Sequence, residues 1–257
     1  MTKHLLSVSR VKVIAAALCL ATASAPNINA QESIVDQYLP SVGCVIEPSV
    51  RIDISSPVEG VLSERPVKLG ASVKKGQQLF SLRSDVEAAS VELAKIRAEF
   101  ALRHYERNEG LYQEELISVH ERDEFQTEFQ VAIKELQQAE AVLSLRSVQS
   151  PIEGVVIDYF VESGEFVTTE PVMALAALNP LKVEIVMPYE SLGAVTESSQ
   201  LTIFPVMPVG GEYPAKITMI DPIVDAASGT YRIRAHIDNP DNALPAGIEC
   251  KVSQLSL

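Results

Sequence analysis

Residues 56–62 read SPVEGVL, and residues 150–156 read SPIEGVV. The match continues without a gap at a constant offset of 94: Ser56, Pro57, Glu59, Gly60, Val61, Val67, Gly70 and Val73 find identical residues at Ser150, Pro151, Glu153, Gly154, Val155, Val161, Gly164 and Val167. Spacing kept through two turns constrains the fold more than any single identity. In each copy Pro-x-Glu-Gly marks a turn, with Gly60 and Gly154 expected to take positive φ, and Gly70 and Gly164 mark a second turn. Short Val-rich runs on either side read as strands. A few short strands cannot hold a core alone, so the two copies are expected to pack face to face as one split sandwich.

Between the copies the texture changes. Residues 84–147 contain no Pro, one Gly (Gly110) and a dense run of helix formers. Val86, Ala89, Leu93, Ile96 and Phe100 follow steps of three and four, and predict an apolar seam that weakens on reaching Arg103 and Arg107. Phe125, Phe129, Ala132, Leu136, Ala139 and Leu143 predict a second, more regular seam. SDVE at 84–87 and SVHE at 118–121 read as capping boxes that start the two helices. The chain must turn near 113–117 and return, giving an antiparallel coiled-coil hairpin whose arms reach ~40 Å.

From 182 onward, LKVEIVMP, QLTIFPVM, YPAKITMI and TYRIRAHI are strand-like runs broken by turn residues. They predict a C-terminal β-barrel, with the piece 43–47 as a strand joining it. The expected organisation is a signal peptide at 1–30, an N-terminal segment at 31–49, a first sandwich half at 50–83, the hairpin at 84–147, the second half at 148–181 and the barrel at 182–257. The class is mostly β with an inserted α-helical hairpin, elongated and modular.

The first thirty residues have a basic start (Lys3, Arg10, Lys12), an apolar run at 13–21 and small residues ending at Ala30. This is the pattern of a cleaved secretory leader, and the run is short for a bilayer span. Cys19 follows Leu18, a poor fit to lipoprotein processing, so lipidation is not expected. Cleavage after Ala30 leaves 18 Lys and Arg against 34 Asp and Glu. Such an acidic chain argues against nucleic acid and anionic membrane surfaces. An exported compartment permits a disulfide between Cys44 and Cys250; two buried thiols in neighbouring strands are the other reading.

A split sandwich, a helical hairpin and a following barrel, in this order, resemble the periplasmic adaptor proteins (membrane fusion proteins, the hemolysin D-like family) of tripartite efflux and secretion systems. The repeats look like that family's two lipoyl-type half-motifs. The ending IDPIVDAASGTYRIRAHIDNPDNALPAGIECKV looks like its barrel. Members that dock on an outer-membrane channel carry R-x3-L-x6-S at the hairpin tip, and here Arg107, Leu111 and Ser118 stand at that spacing. The resemblance implies a TolC-type channel at the tip, an inner-membrane transporter (RND ahead of ABC) at the barrel end, and self-association into a hexamer or ring in the periplasm. Arg107 would meet carboxylates or carbonyls of the channel in fork geometry, Leu111 would add apolar contact, and His120 and Glu121 stand close by. A purely local account also exists, with Ser118 as an N-cap and Leu111 closing the hairpin end. The membrane-proximal domain of many members is expected to be absent.

No enzyme, cofactor or metal site is expected. His104, His120 and His236 form no recognisable metal motif. Asp221 and Asp225 in DPIVD are expected to bond local backbone. Met173, Met187, Met207 and Met219 are scattered and read as core. A swinging-arm carrier would present a lysine on the turn that the helical insertion occupies. The readings that remain beside the efflux adaptor are an exported scaffolding or regulatory protein on the same fold, or the adaptor of an ABC-type export system.

Overall fold

The computed structural model describes residues 38–254; the expected leader at 1–30 and Cys19 lie outside them. The repeat folds by exchange. Strand β1 (Gly43–Ser55) leads into the first copy, which forms β2 (Gly60–Glu64), β3 (Ser72–Val73) and β4 (Gln78–Leu82). After the helices the chain forms β5 (Ser147–Gln149), and the second copy forms β6 (Gly154–Tyr159), β7 (Phe166–Val167) and the start of β8 (Pro171–Pro188). Each copy's first strand pairs with the other copy's second: Gly60 opposes Val167, and Gly154 opposes Val73. The backbone bonds repeat with the same symmetry. Leu62 N–H donates to the Glu165 carbonyl at 2.9 Å and Val156 N–H to the Ala71 carbonyl at 3.1 Å. One core results, with Leu62, Val73, Leu79, Phe80 and Leu82 from the first copy and Val156, Val167, Met173 and Leu175 from the second. Burying this surface requires both copies, which explains why the repeat is kept in register.

The matched serines and glycines have distinct tasks. Ser56 and Ser150 are buried, and each hydroxyl donates to the carbonyl two residues on, Val58 or Ile152. Gly70 (φ +78°) and Gly164 (φ +97°) occupy the left-handed region as expected. Gly60 and Gly154 do not, which corrects the expectation for them. They are needed for close approach: a Cβ on Gly60 would stand 2.6 Å from the Arg146 guanidinium, and one on Gly154 2.5 Å from the Ala176 carbonyl oxygen.

Strands β1 and β8 run side by side from the barrel into the sandwich, from Gly43 opposite Val186 to Ser55 opposite Pro171, with register shifts near Pro48 and Ile54. Beyond β8 come β9 (Gln200–Pro205), β10 (Tyr213–Ile220), β11 (Thr230–Ile237) and β12 (Ile248–Gln254). The pairing order β1-β12-β9-β10-β11-β8, closed by β1 against β8, makes a barrel without a free edge. The piece 43–47 pairs with β8 and, at Val45 and Ile46, with β12. Alternation fills it: Leu181, Val183, Ile185 and Met187 of β8 and Tyr231, Ile233, Ala235 and Ile237 of β11 point inward. Their outward neighbours form a charged ladder, Glu47–Lys182–Glu184–Arg232–Asp221–Arg234, at 2.7–3.7 Å per step. One step beyond the Val45–Glu249 pair, Cys44 and Cys250 are joined by a disulfide with a Cα separation of 4.9 Å. The buried Asn239 secures the joint with the sandwich. It bonds the Leu178 and Leu244 carbonyls, the Leu244 amide and the Asn179 side chain at 2.9–3.0 Å.

Helices α1 (Asp85–Gln113) and α2 (Val119–Ser144) pack against each other and return antiparallel. The seam expected on α2 is in place: Ala132 is buried, Phe129 and Leu136 pack on it, and Phe125, Ala139 and Leu143 are half-buried. On α1 the expected seam is wrong. Val86, Leu93, Ile96 and Phe100 are exposed; the buried residues of α1 are Ala94, Ala98, Ala101 and Asn108, and His104 and Tyr105 pack on Phe125 and Phe129 of α2. The Phe and Leu side chains of α2 fill the gap, so α1 must offer small residues for the helices to approach. Its larger apolar stripe is turned away by about one residue, ~100° around the helix. The first capping box is also corrected. Ser84 makes no side-chain cap bond, and the Glu87 carboxylate, which the box would turn back to the Ser84 amide, bonds Arg146 at 2.6 Å instead. Bonds from its own amide and then from Arg146 hold that carboxyl below the usual range. Arg146 also donates to the Glu59 carbonyl at 2.7 Å, and so clamps the base of both helices to the sandwich turn. No helix among the described residues is long and apolar enough to cross a membrane.

Candidate functional site: the hairpin tip

The tip is built by two capping motifs placed back to back. At the end of α1, Glu115 N–H donates to the Tyr112 carbonyl and Leu116 N–H to the Leu111 carbonyl, both at 2.9 Å. This pair of bonds is the Schellman ending, which wants a left-handed residue at its centre. Here Glu115 fills that position at φ +58°, where a Cβ is disfavoured. The expected result of Glu115→Gly is a gain of about 0.5–1 kcal/mol, the strain relieved less the added chain entropy. Chemical denaturation with a tryptophan reporter on the hairpin would measure it.

Three residues later the second box forms as read from the sequence. Glu121 N–H donates to Ser118 Oγ at 3.2 Å, and Ser118 N–H donates to Glu121 Oε2 at 2.8 Å. Bonds from the Ser118 amide and then its hydroxyl hold the Glu121 carboxyl below the usual carboxylate range. Behind the turn, Arg122 bonds Glu109 at 3.2 Å and lies over the Tyr112 ring at 5.3 Å, tying the two helix ends together. The buried Asn108 side chain donates to the His104 carbonyl at 2.7 Å, and His104 packs edge-on against Phe125 with ring centroids 4.8 Å apart. The turn is thus braced from within.

On this platform the three motif residues differ. Arg107 is exposed, and its side chain makes no hydrogen bond or ion pair within the described residues. Leu111 is half-buried one turn further along the same helix face. Ser118 is exposed but occupied by its cap. Leu116, which the sequence reading passed over, is the apolar residue most open to solvent at the turn, at 65%. Its neighbour in the left-handed region was the available signal, since Glu-Glu-Leu between two helices leaves the ending without a glycine.

The other candidates separate cleanly. Asp225 bonds local backbone as expected: its carboxylate accepts from the Ala227 amide at 2.9 Å, the first of the bonds that lower its pKa. Asp221 does not. It pairs with Arg232 and Arg234 in the outer ladder. His236 is half-buried on β11 opposite Lys182 and Lys216. Met173 and Met187 are core, whereas Met207 is 82% exposed and Met219 lies at the surface accepting a bond from Arg234; the core reading is corrected for these two. Among the described residues no group of three His, Cys, Asp or Glu side chains is placed to hold a metal.

Residues 51–176 match the family described as CzcB-like, barrel-sandwich hybrid domain, and residues 183–256 match the CusB-like, beta-barrel domain. The solvent efflux pump periplasmic linker SrpA of Pseudomonas putida is 26% identical over 212 residues, 76% of this chain and 56% of that protein. The multidrug resistance protein MexA of Pseudomonas aeruginosa is 24% identical over 212 residues, 76% of this chain and 55% of that protein. The chain spans about half the length of the curated relatives it matches. Among solved structures, a MacA-MexA chimeric protein containing the Pseudomonas aeruginosa MexA alpha-hairpin domain superposes with a TM-score of 0.70 at 22% identity, covering 82% of this chain and 79% of that one.

Proposed function

The chain belongs to the membrane fusion protein family, the efflux adaptors, and from that premise we propose that it is the periplasmic adaptor of a three-part efflux system. In this reading the hairpin tip docks on an outer-membrane channel of TolC type, the barrel end meets an inner-membrane transporter, and copies assemble side by side into a hexamer or similar ring. The helices act as a coiled-coil spacer, the repeat as a lipoyl-like module, and the segment 1–30 as the export signal. An RND transporter is favoured over an ABC transporter because the barrel resembles that of CusB-like proteins and the relatives include solvent and multidrug pump linkers.

The observation that carries the proposal is the braced tip with an arginine left over. A charged side chain without a partner among the described residues, one turn from half-buried Leu111 on a hairpin end that also exposes Leu116, matches what an interface anchor needs. Guanidinium groups bond carboxylates and carbonyls in pairs, and a preformed turn lowers the entropy lost on docking. The chemistry is recognition and positioning. No step of bond making is assigned to any residue.

Arg107→Asp is the test. It reverses the charge at a solvated position, so thermal stability is expected to stay within ~0.5 kcal/mol of the parent. Substrate efflux from cells lacking the native gene should fall to the level of the empty vector. Full efflux with a folded Asp variant would remove the docking role. An exported scaffold on the same fold is the second reading, favoured if the purified protein brings down no transporter.

A further inference from the structure

We propose that the Cys44–Cys250 bridge is made by a partner: an exported thiol–disulfide oxidase acts on this chain at the step in which its last strand closes the barrel. Of the proposed function the inference needs the export of the chain and nothing else. Its starting point is the order of the barrel wall. Without β12, the strands β9-β10-β11-β8-β1 form one continuous open sheet. The last strand in sequence therefore turns a sheet with two bare edges into a barrel. Its two seams are unequal. β12 pairs with β9 from Cys250–Pro205 to Gln254–Leu201, whereas its register with β1 is confined to Val45–Glu249 and Ile46–Ile248. Single backbone bonds flank that short ladder, from the Leu39 amide to the Val252 carbonyl at 2.8 Å and from the Gly247 amide to the Ile46 carbonyl at 2.7 Å. The disulfide joins the two strands where their ladder ends.

The position of the two cysteines sets when the bond can form. They lie 206 residues apart in the chain, so Cys44 waits on the edge of the sheet until almost the whole chain has crossed. In the finished barrel both are buried, Cys44 4% and Cys250 8% exposed, so the exchange belongs to the open sheet. Strands dock in microseconds to seconds, and uncatalysed disulfide exchange takes minutes to hours. A catalyst is needed for the bond to precede closure. An isomerase is not, because residues 31–257 hold two cysteines, with Cys19 in the expected leader, and two cysteines allow one pairing.

The exchange needs no reactant besides the oxidase. The Cys44 thiolate attacks the oxidase disulfide, one oxidase sulfur leaves as a thiolate, and a mixed disulfide forms. The Cys250 thiolate then attacks the Cys44 sulfur and releases the second oxidase sulfur. Two electrons pass from the chain to the oxidase, whose two thiolates take up the protons that the cysteines gave up.

Counting free thiols on the newly exported chain is the test. Periplasmic protein is trapped with an alkylating maleimide and its mass is read. No maleimide is expected in cells that have the oxidase, or in cells that lack only a disulfide isomerase. Two per chain are expected in cells without the oxidase. The Cys250→Ala chain should accumulate the mixed disulfide at Cys44 when the oxidase lacks its own resolving cysteine. Hydrogen exchange on the Cys44→Ala, Cys250→Ala protein should be at least about tenfold faster than in the parent along β12 and unchanged along α2; the thiol count does not depend on that variant folding. A chain bridged just as fast without the oxidase, or free thiols in cells lacking only the isomerase, would overturn the proposal. So would β12 exchanging no faster than in the parent. A periplasmic chain with free thiols in normal cells, beside a channel captured at the tip, would overturn it and leave the adaptor reading standing. A bridged chain that captures no channel would do the reverse.

Discussion

Gly154→Ala is expected to cost the protein about 3 kcal/mol, a fall of roughly 10 °C in Tm, while Gly60→Ala at the matching position of the repeat costs about 1 kcal/mol or less. The two glycines are equivalent in sequence and unequal in surroundings. A Cβ at 154 would stand 2.5 Å from the Ala176 carbonyl oxygen and 3.0 Å from its carbon. Those are backbone atoms of β8, held by pairing with both β1 and β6. Neither strand can retreat without opening the sandwich, so the clash is met by strain. A Cβ at 60 would meet the end of the Arg146 side chain at 2.6 Å. That guanidinium can swing aside at the expense of its bonds to the Glu59 carbonyl and the Glu87 carboxylate, and Leu82 Cδ1 at 3.3 Å must yield slightly, a loss of the order of 1 kcal/mol. Urea unfolding of both variants measures the difference. Equal costs would show that the close approach at Gly154 has been misjudged.

Removing the Cys44–Cys250 bridge should be the other large effect. It closes a loop across a sequence separation of 206 residues. A chain-entropy account gives about 5 kcal/mol for a loop of that length, and native bridges usually contribute about 2–5 kcal/mol. The position amplifies the loss. β1 and β12 are paired at Val45–Glu249 and Ile46–Ile248, and the bridge staples the first strand of the barrel to the last. The double variant Cys44→Ala, Cys250→Ala, or the parent in excess reductant, should unfold at clearly lower urea with the hairpin helices retaining their signal longest. A midpoint unchanged by reductant would mean that the barrel core alone fixes the seam between the two strands.

The features legible in the sequence were those written locally. The repeat, the helix formers between its copies, the second capping box and the alternation of β8 and β11 each depend on neighbours within a few residues. What could not be read depended on the partner. The period of Val86, Leu93, Ile96 and Phe100 is genuine, but α2 brings Phe129 and Leu136 and so selects the Ala94, Ala98, Ala101 face. Ser84 and Glu87 have the letters of a capping box, and Arg146, 59 residues beyond Glu87, diverts the glutamate. The tasks of Gly60 and Gly154 lie in what stands opposite them rather than in their own φ. The bridge between Cys44 and Cys250 stayed open for the same reason, since a Cα separation follows from strand register. At the tip, spacing singled out Arg107, Leu111 and Ser118. The structure adds that Ser118 is engaged by its cap, and that Leu116 stands exposed beside a strained Glu115.

The most direct test of the adaptor account is a photo-crosslinking residue placed at Leu116 in living cells, with the captured species identified by mass spectrometry. The account predicts that an outer-membrane channel is captured, and that Arg107→Asp abolishes the capture while the protein stays folded and abundant. Capture of further copies of the same chain alone, or of nothing, from a folded and abundant protein would contradict it.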